Sequence, residues 1–268
     1  THFVIVLSAL IHDVDHPGTS NVHLVQTKSP LAMKYNNKSV AERHSLHTAL
    51  DILMEDEFHE LQHCIFPTRE QYSRFRQLLI NAVLATDVVD EECRDLRSSR
   101  WEKAFRHHQQ EQQQQFSTAI DSSTAMNQRA TSVLEHIIQA SDVAHTMQHW
   151  RVFCKWNERL YHEMYQAYQA GRSTFDPSAN WYQGQLDFFD NYIIPLAKKL
   201  QECGIFGVSS DEYLRYALEN RREWKEKGLE VSRRMEMSAQ VLLQKRESQH
   251  SENDLRWSSV PEERPSGQ

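Results

Sequence analysis

The sequence predicts an all-α fold, and three observations carry that expectation. Glycine and proline are scarce, seven of each in 268 residues, so turn signals are few. Apolar residues in most long segments recur at spacings of three and four rather than two. Two capping-box patterns stand directly ahead of such stripes. Thr68 with Gln71, behind Pro67, opens a helix whose stripe is Tyr72, Phe75, Leu78, Leu79, Ala82 and Val83. Ser209 with Glu212 opens another, carrying Tyr213, Leu214, Ala217, Leu218 and Trp224.

Taken in order, residues 3–11, FVIVLSALI, are the most apolar stretch. They are too short to span a bilayer and lack signal-peptide flanks. A helix over 3–12 would be apolar on every side, which predicts burial on every side. Within SVLEHIIQASDVAHTM the stripe is Val133, Leu134, Ile137, Ile138 and Ser141, and the pattern runs on helically past Asp142. Residues 94–129, with the tract HHQQEQQQQF, are polar and poorly periodic and read as a flexible insertion. The charged stretch 219–247 reads as a long solvated helix or linker. The expected organisation is one unit over residues 1–230, incomplete at its N-terminus because Thr1 already lies inside an apolar segment. A polar helix and a disordered tail follow over 231–268.

A net charge of -7 offers no basic field to a nucleic-acid polymer or an anionic membrane. An acidic chain acting on an anionic substrate needs cations. Cys64, Cys93, Cys154 and Cys203 are far apart with no CxxC pair. That argues against a disulfide framework and a cysteine zinc site and fits a reducing, intracellular compartment, on the cytoplasmic side of any membrane anchor carried elsewhere.

The chemistry concentrates in ALIHDVDHPG, residues 9–18. An ionised carboxylate at a buried helix end costs several kcal/mol unless a cation or hydrogen bonds compensate it. His12 and His16 are four apart and share a helical face, while Asp13 lies about 100° round from His12. Asp142, four beyond Ile138, places a second acid on an apolar stripe. A hydrogen-bonded core histidine and a capping aspartate are the competing structural readings. Together, His12, Asp13 and Asp142 are hard N and O donors suited to zinc, magnesium or manganese.

HDVDHPGTSN, with Asn21, resembles the signature of the class I cyclic nucleotide phosphodiesterases. LAMKYNNKSVAERH, VLATD, QASDVAH, GQLDFFDNYIIPL and LENRREW resemble further family segments in the family's order, across about residues 1–226. The resemblance implies a compact all-α catalytic domain of the HD metal-phosphohydrolase type. It implies hydrolysis of 3′,5′-cyclic nucleotides with two divalent ions, zinc and magnesium. His12 and Asp142 would bind the first ion and Asp13 would reach both, with Asp13 and His16 in the catalytic centre. His16, Glu42 and Thr86 would hold the waters of the second. Gln185 would hydrogen-bond the purine edge, Phe188 and Leu160 would stack on its two faces, and His145 would bear on the choice between cAMP and cGMP. Phe188 taken alone reads as core.

The family's other signature, His-Asn, two residues, His-Ala, carries the general-acid histidine and another metal ligand. It is not in these 268 residues. HSLHTA, residues 44–49, lacks its asparagine; His44 reads as a support of the metal site and His47 as ordinary helix. The 268 residues by themselves are therefore expected to be weakly active or inactive. Two other readings remain: a different HD-type phosphohydrolase, and a non-enzymatic nucleotide-binding or regulatory module.

Overall fold

The computed structural model describes residues 2–111, 119–204 and 206–258. In chain order the α-helices are α1 (His2–Ile11), α2 (Asn21–Gln26), α3 (Pro30–Lys34), α4 (Val40–Leu53), α5 (His59–Ile65) and α6 (Arg69–Leu84). They continue with α7 (Glu91–Glu111), α8 (Ala119–Asp142), α9 (Trp150–Gln169), α10 (Pro177–Phe188), α11 (Ile194–Glu202) and α12 (Ser210–Ser258). No strand occurs among the described residues, as the all-α reading expects.

Among the described residues, the two largest of four buried apolar clusters organise most of these helices. In the first, Val4 and Ile11 of α1 and Leu46 of α4 meet Phe75, Leu79 and Val83 of α6. The second and larger core joins Phe153 and Tyr161 of α9, Trp181 of α10, Leu196 and Leu200 of α11 and Trp224 of α12. α8 packs against α1 and α6 on one side and α11 on the other, so its C-terminus lies where the two cores adjoin.

The start of α6 follows its sequence signal. The Thr68 hydroxyl accepts the Gln71 N–H at 3.2 Å and the Gln71 side chain accepts the Thr68 N–H at 3.2 Å, which satisfies two otherwise orphaned donors. Thr68→Ala is expected to destabilise the chain by about 1 kcal/mol in urea denaturation. α12 begins one residue after Ser209.

Several expectations need correction. α1 is not buried all round: Val4, Ser8 and Ile11 are buried, whereas Val6 and Leu10 are 69% and 76% exposed, because among the described residues α4, α6 and α8 cover only one face. Residues 94–111 and 119–129 are helix rather than a flexible insertion, because Arg97, Trp101 and Ala104 bury one face of α7 and α7 packs on α8. The centre of that stretch, 112–118, lies outside the described residues, as does the tail from 259. The change expected at residue 230 falls inside α12, whose Val231, Met235 and Ala239 belong to the same core as Trp224; the charged stretch is thus a half-buried helix. Leu218 is exposed and not on the buried stripe. On α8 the buried positions include Ser132, Glu135, His136 and Gln139 as well as Ile138, while Ser141 is exposed, because the helix is gripped from two sides.

At Gly228 a Cβ would lie 2.9 Å from the Trp224 ring and 2.9 Å from the Tyr182 ring. Only glycine allows α12 to approach α10 that closely.

Candidate metal and nucleotide site

α1 ends at Ile11, and residues 12–15 form a turn in which Asp15 takes a positive φ of 55°. His16 is therefore off the helix and exposed, not on a shared face with His12. Pro17 and Gly18 complete the turn, and Gly18 at φ 64° occupies the left-handed region that glycine enters without steric cost. The Gly18 N–H donates to His16 Nδ1 at 3.2 Å. Asp15 accepts from His44 Nε2 at 2.7 Å, tying the turn to α4, while His47 is exposed and faces Asp51.

His12 Nδ1 lies 2.9 Å from the Ala9 carbonyl, which can only accept. That contact directs Nε2 at Asp13 Oδ2, 3.3 Å away, and at Asp142 Oδ1, 3.5 Å away. Sequence positions 129 residues apart (142 − 13) thus meet at one imidazole nitrogen. Asp142 is the last residue of α8 and its side chain is 37% exposed. It does not sit on a continuing apolar face: the chain turns there into a 3-10 segment, Ala144–Met147.

A neutral Nε2 lone pair aimed at two carboxylates is repulsive, so a positive charge belongs between them. A proton supplies it when no ion does: hydrogen bonds to Asp13 and then Asp142 push His12 up to about 10, against the opposing effect of burial. A divalent ion would supply it equally, because donors sharing a tetrahedral ion at bonds of about 2.1 Å lie about 3.4 Å apart. The His12 separations match that value. Among the described residues, no group of three or more His, Cys, Asp or Glu side chains is arranged to hold a metal ion by itself. His12, Asp13 and Asp142 meet at one imidazole nitrogen but, as placed, do not form such a three-residue group.

Glu42, on the first turn of α4, extends this acidic region. Burial raises its carboxyl most, and the charges of Asp87 and Asp13 raise it further. Asn21 orients it, donating Nδ2 to Glu42 Oε2 at 2.9 Å while Asn21 Oδ1 accepts the Ala41 N–H at 2.9 Å. Asp87 is 4% exposed, and its Oδ1 accepts the N–H groups of Val89 and Asp90. Thr86 hydrogen-bonds its own helix end, Oγ1 to Val83 O at 2.7 Å.

The residues expected at the purine belong to a hydrogen-bonded relay on α9 and α10. Trp181 Nε1, a donor only, donates to Asn157 Oδ1 at 3.0 Å. Asn157 Nδ2 then donates to Gln185 Oε1 at 2.7 Å. The Gln185 carbonyl is thereby occupied, and its NH₂ is the end left for a ligand. Phe188 is half-buried against the large core and stacks on Tyr192 at 5.3 Å between centroids. Leu160 is 41% exposed. His145 lies in the Ala144–Met147 segment, and burial lowers its imidazole below the usual range.

α12 holds these pieces in register. Asn220 Nδ2 donates to Thr146 O and Gln148 O at 2.9 and 2.7 Å, fixing the segment after Asp142. Arg221 grips Asp190 with two hydrogen bonds of 2.9 and 2.7 Å. Asp190 lies in a π-helical turn, Phe189–Ile193, directly after Phe188. Pro195 accounts for that turn, because it cannot donate to the carbonyl of residue 191 and its ring crowds it.

Sequence reasoning missed Asn157 and Arg172. Asn157 carried a signal, a polar residue at spacing of four within the stripe Phe153, Asn157, Tyr161, Tyr165, all buried. Arg172, whose Nη1 donates to the Gly18 carbonyl at 2.9 Å, carried none, since the contact spans 154 residues.

The family described as 3′5′-cyclic nucleotide phosphodiesterase matches residues 1–205. Mouse dual specificity calcium/calmodulin-dependent 3′,5′-cyclic nucleotide phosphodiesterase 1C is 32% identical over 164 residues, 61% of this chain and 20% of that protein. The human 1B protein is 28% identical over 240 residues, 85% of this chain and 40% of its own length. The chain thus spans well under half of these curated relatives. The crystal structure of the phosphodiesterase domain of Salpingoeca rosetta rhodopsin phosphodiesterase has a similar fold, with a TM-score of 0.63 at 23% identity, covering 88% of this chain and 69% of that one. By the family match over most of its length, with the His-Asp turn in place, the chain belongs to the 3′5′-cyclic nucleotide phosphodiesterase family.

Proposed function

We propose that this chain hydrolyses 3′,5′-cyclic nucleotides, both cAMP and cGMP, to 5′-nucleoside monophosphates. The observation that carries the reading is the convergence of Asp13 and Asp142 on His12 Nε2. His12, Asp13 and Asp142 would hold the first divalent ion, zinc. Asp13 would also reach the second, magnesium, with His16, Glu42 and Thr86 around its waters. Such ions, when bound, neutralise a phosphodiester and make water a nucleophile near neutral pH. The chain's own residues do the positioning. The Ala9 carbonyl orients His12, Asn21 orients Glu42, and the Asp142 turn is pinned by Asn220.

The NH₂ of Gln185 would donate to an acceptor on the purine edge. Adenine and guanine both offer one, N7 in each case and O6 in guanine, so the relay supports acceptance of both nucleotides. The relatives named dual specificity accord with it. Phe188 and Leu160 would flank the base, with His145 near its edge. Gln185→Ala is expected to raise KM for cAMP and cGMP alike by roughly tenfold, the loss of one buried hydrogen bond, with zinc binding unchanged by titration calorimetry.

The test of the function is conversion of cAMP and cGMP to their 5′-monophosphates, followed by chromatography with magnesium and zinc present and again with EDTA. The 268 residues alone are expected to turn over slowly, by about 10²–10⁴ relative to a protein that also supplies a general-acid histidine. Cyclic nucleotide binding with no metal-dependent conversion, even when that histidine is supplied, would favour a nucleotide-binding module instead.

A further inference from the structure

A cavity of about 210 Å³ lies between α7, the last turns of α8, and the π-turn with α11. Arg94, Arg97 and Lys199 line it together with His136, and its lining contains no aspartate or glutamate. Three cations facing one cavity with no acid is unusual in a chain of net charge -7. Arg97 is 5% exposed. Its Nη1 and Nη2 donate to the carbonyls of Leu84 and Asp87 at 3.2 and 3.0 Å, which satisfy hydrogen bonds without neutralising charge. Lys199 Nζ sits 3.4 Å from His136 Nε2 and 5.5 Å from the Trp101 ring centroid. Among the described residues neither Arg97 nor Lys199 has a carboxylate at ion-pair distance; Arg94 has only Glu91, at 3.6 Å on the exposed side. The acids that influence them, Glu135 and Asp87 on Arg97 and Glu102 and Glu202 on Lys199, act through space.

A buried guanidinium without a contacting anion costs several kcal/mol. Ser98, Gln139 and Asn191 add neutral hydrogen-bonding groups to the same wall. We infer that this cavity is a binding site for a small tetrahedral oxyanion of the phosphate class, separate from the metal and nucleotide site. Size agrees, since the space takes one phosphate and its immediate waters but not a nucleotide. The field agrees as well: after burial, the charges that push His136 down are Lys199, Arg97 and Arg100, all positive. Because Arg97 also holds the carbonyls of Leu84 and Asp87, which flank Thr86, an anion here would brace the turn that carries Thr86 and Asp87.

The experiment is titration calorimetry of the full chain with inorganic phosphate in EDTA, which removes the metal centre as a competing phosphate site. Saturable one-to-one binding below about 10 mM is expected, weakened about tenfold by Lys199→Met and abolished by Ser98→Asp, which puts a carboxylate into the cavity. Asp142→Asn should bind phosphate as the wild type does. No saturable binding to the wild type, or binding that neither Lys199→Met nor Ser98→Asp alters, overturns the inference.

Discussion

If His12, Asp13 and Asp142 hold an ion as proposed, Asp142→Asn is expected to lower the affinity of the chain for zinc by at least about a hundredfold and to leave its helicity unchanged. Groups that only hydrogen-bond a metal ligand are worth about 10–100-fold in affinity, and a carboxylate placed 3.5 Å from the imidazole nitrogen is expected to be a ligand itself. The amide keeps the size of the side chain but loses the charge that would draw a cation between α1 and α8. The fold should tolerate the change. Asp142 ends α8 at the surface, and the segment after it is held by Asn220 rather than by Asp142. Titration calorimetry with zinc, checked by circular dichroism, reads both quantities. An affinity within threefold of the wild type, roughly 0.7 kcal/mol, would assign His12, Asp13 and Asp142 to an ordinary ion-paired helix junction.

Much of this site is legible in the sequence, for a reason particular to its residues. Two histidines and two aspartates within five residues mark the stretch by composition alone, but the expected buried helix end is not what they occupy: the Asp13 and Asp15 side chains are 68% and 71% exposed, because the chain leaves the helix at Ile11 and turns at the surface. The same holds for Asp142 beyond Ile138, where the helix ends instead of continuing. His16 shows the limit. A helical projection puts it beside His12, but the positive φ of Asp15 turns the chain before it arrives. α7 shows another: HHQQEQQQQF looks like a loose insertion by composition, whereas the buried Arg97, Trp101 and Ala104, spaced by four and three, already mark one helical face. On α8 the apolar stripe is readable but its polar neighbours are not. Glu135, His136 and Gln139 are buried because α7 and α11 close over them, and only tertiary packing determines that. The relay through Asn157 lies between these cases, with a visible polar position and partners supplied by another helix.

The buried polar face of α8 leads to the second large effect, an acid-labile fold that depends on His136. This imidazole is 3% exposed; its Nδ1 faces the Ser132 carbonyl at 2.7 Å, and its ring packs on Trp101 at 4.4 Å. The charges facing it are Lys199 from α11 and Arg97 and Arg100 from α7. Burial takes it from an ordinary 6.5 to about 4; the hydrogen bond to the Ser132 carbonyl opposes the shift, and each of those charges adds a smaller push downward. Between those values the unfolded chain binds a proton that the folded chain refuses, so stability falls as the pH falls. The contribution is fully present above pH 6.5, declines through the interval and is gone at about pH 4, a total of about 3 kcal/mol. Neighbouring Glu135 acts in the opposite sense, since burial raises its carboxyl and so favours the folded state as acid is added. The sensitive measurement is therefore a difference: urea unfolding of the wild type and of His136→Gln across that interval. Glutamine can still donate to the Ser132 carbonyl but takes up no proton, so the variant should lose the His136 part of the slope and keep the Glu135 part. Parallel stability curves would show that His136 accepts its proton in the folded chain as readily as in the unfolded one, and that the cations around it are already neutralised.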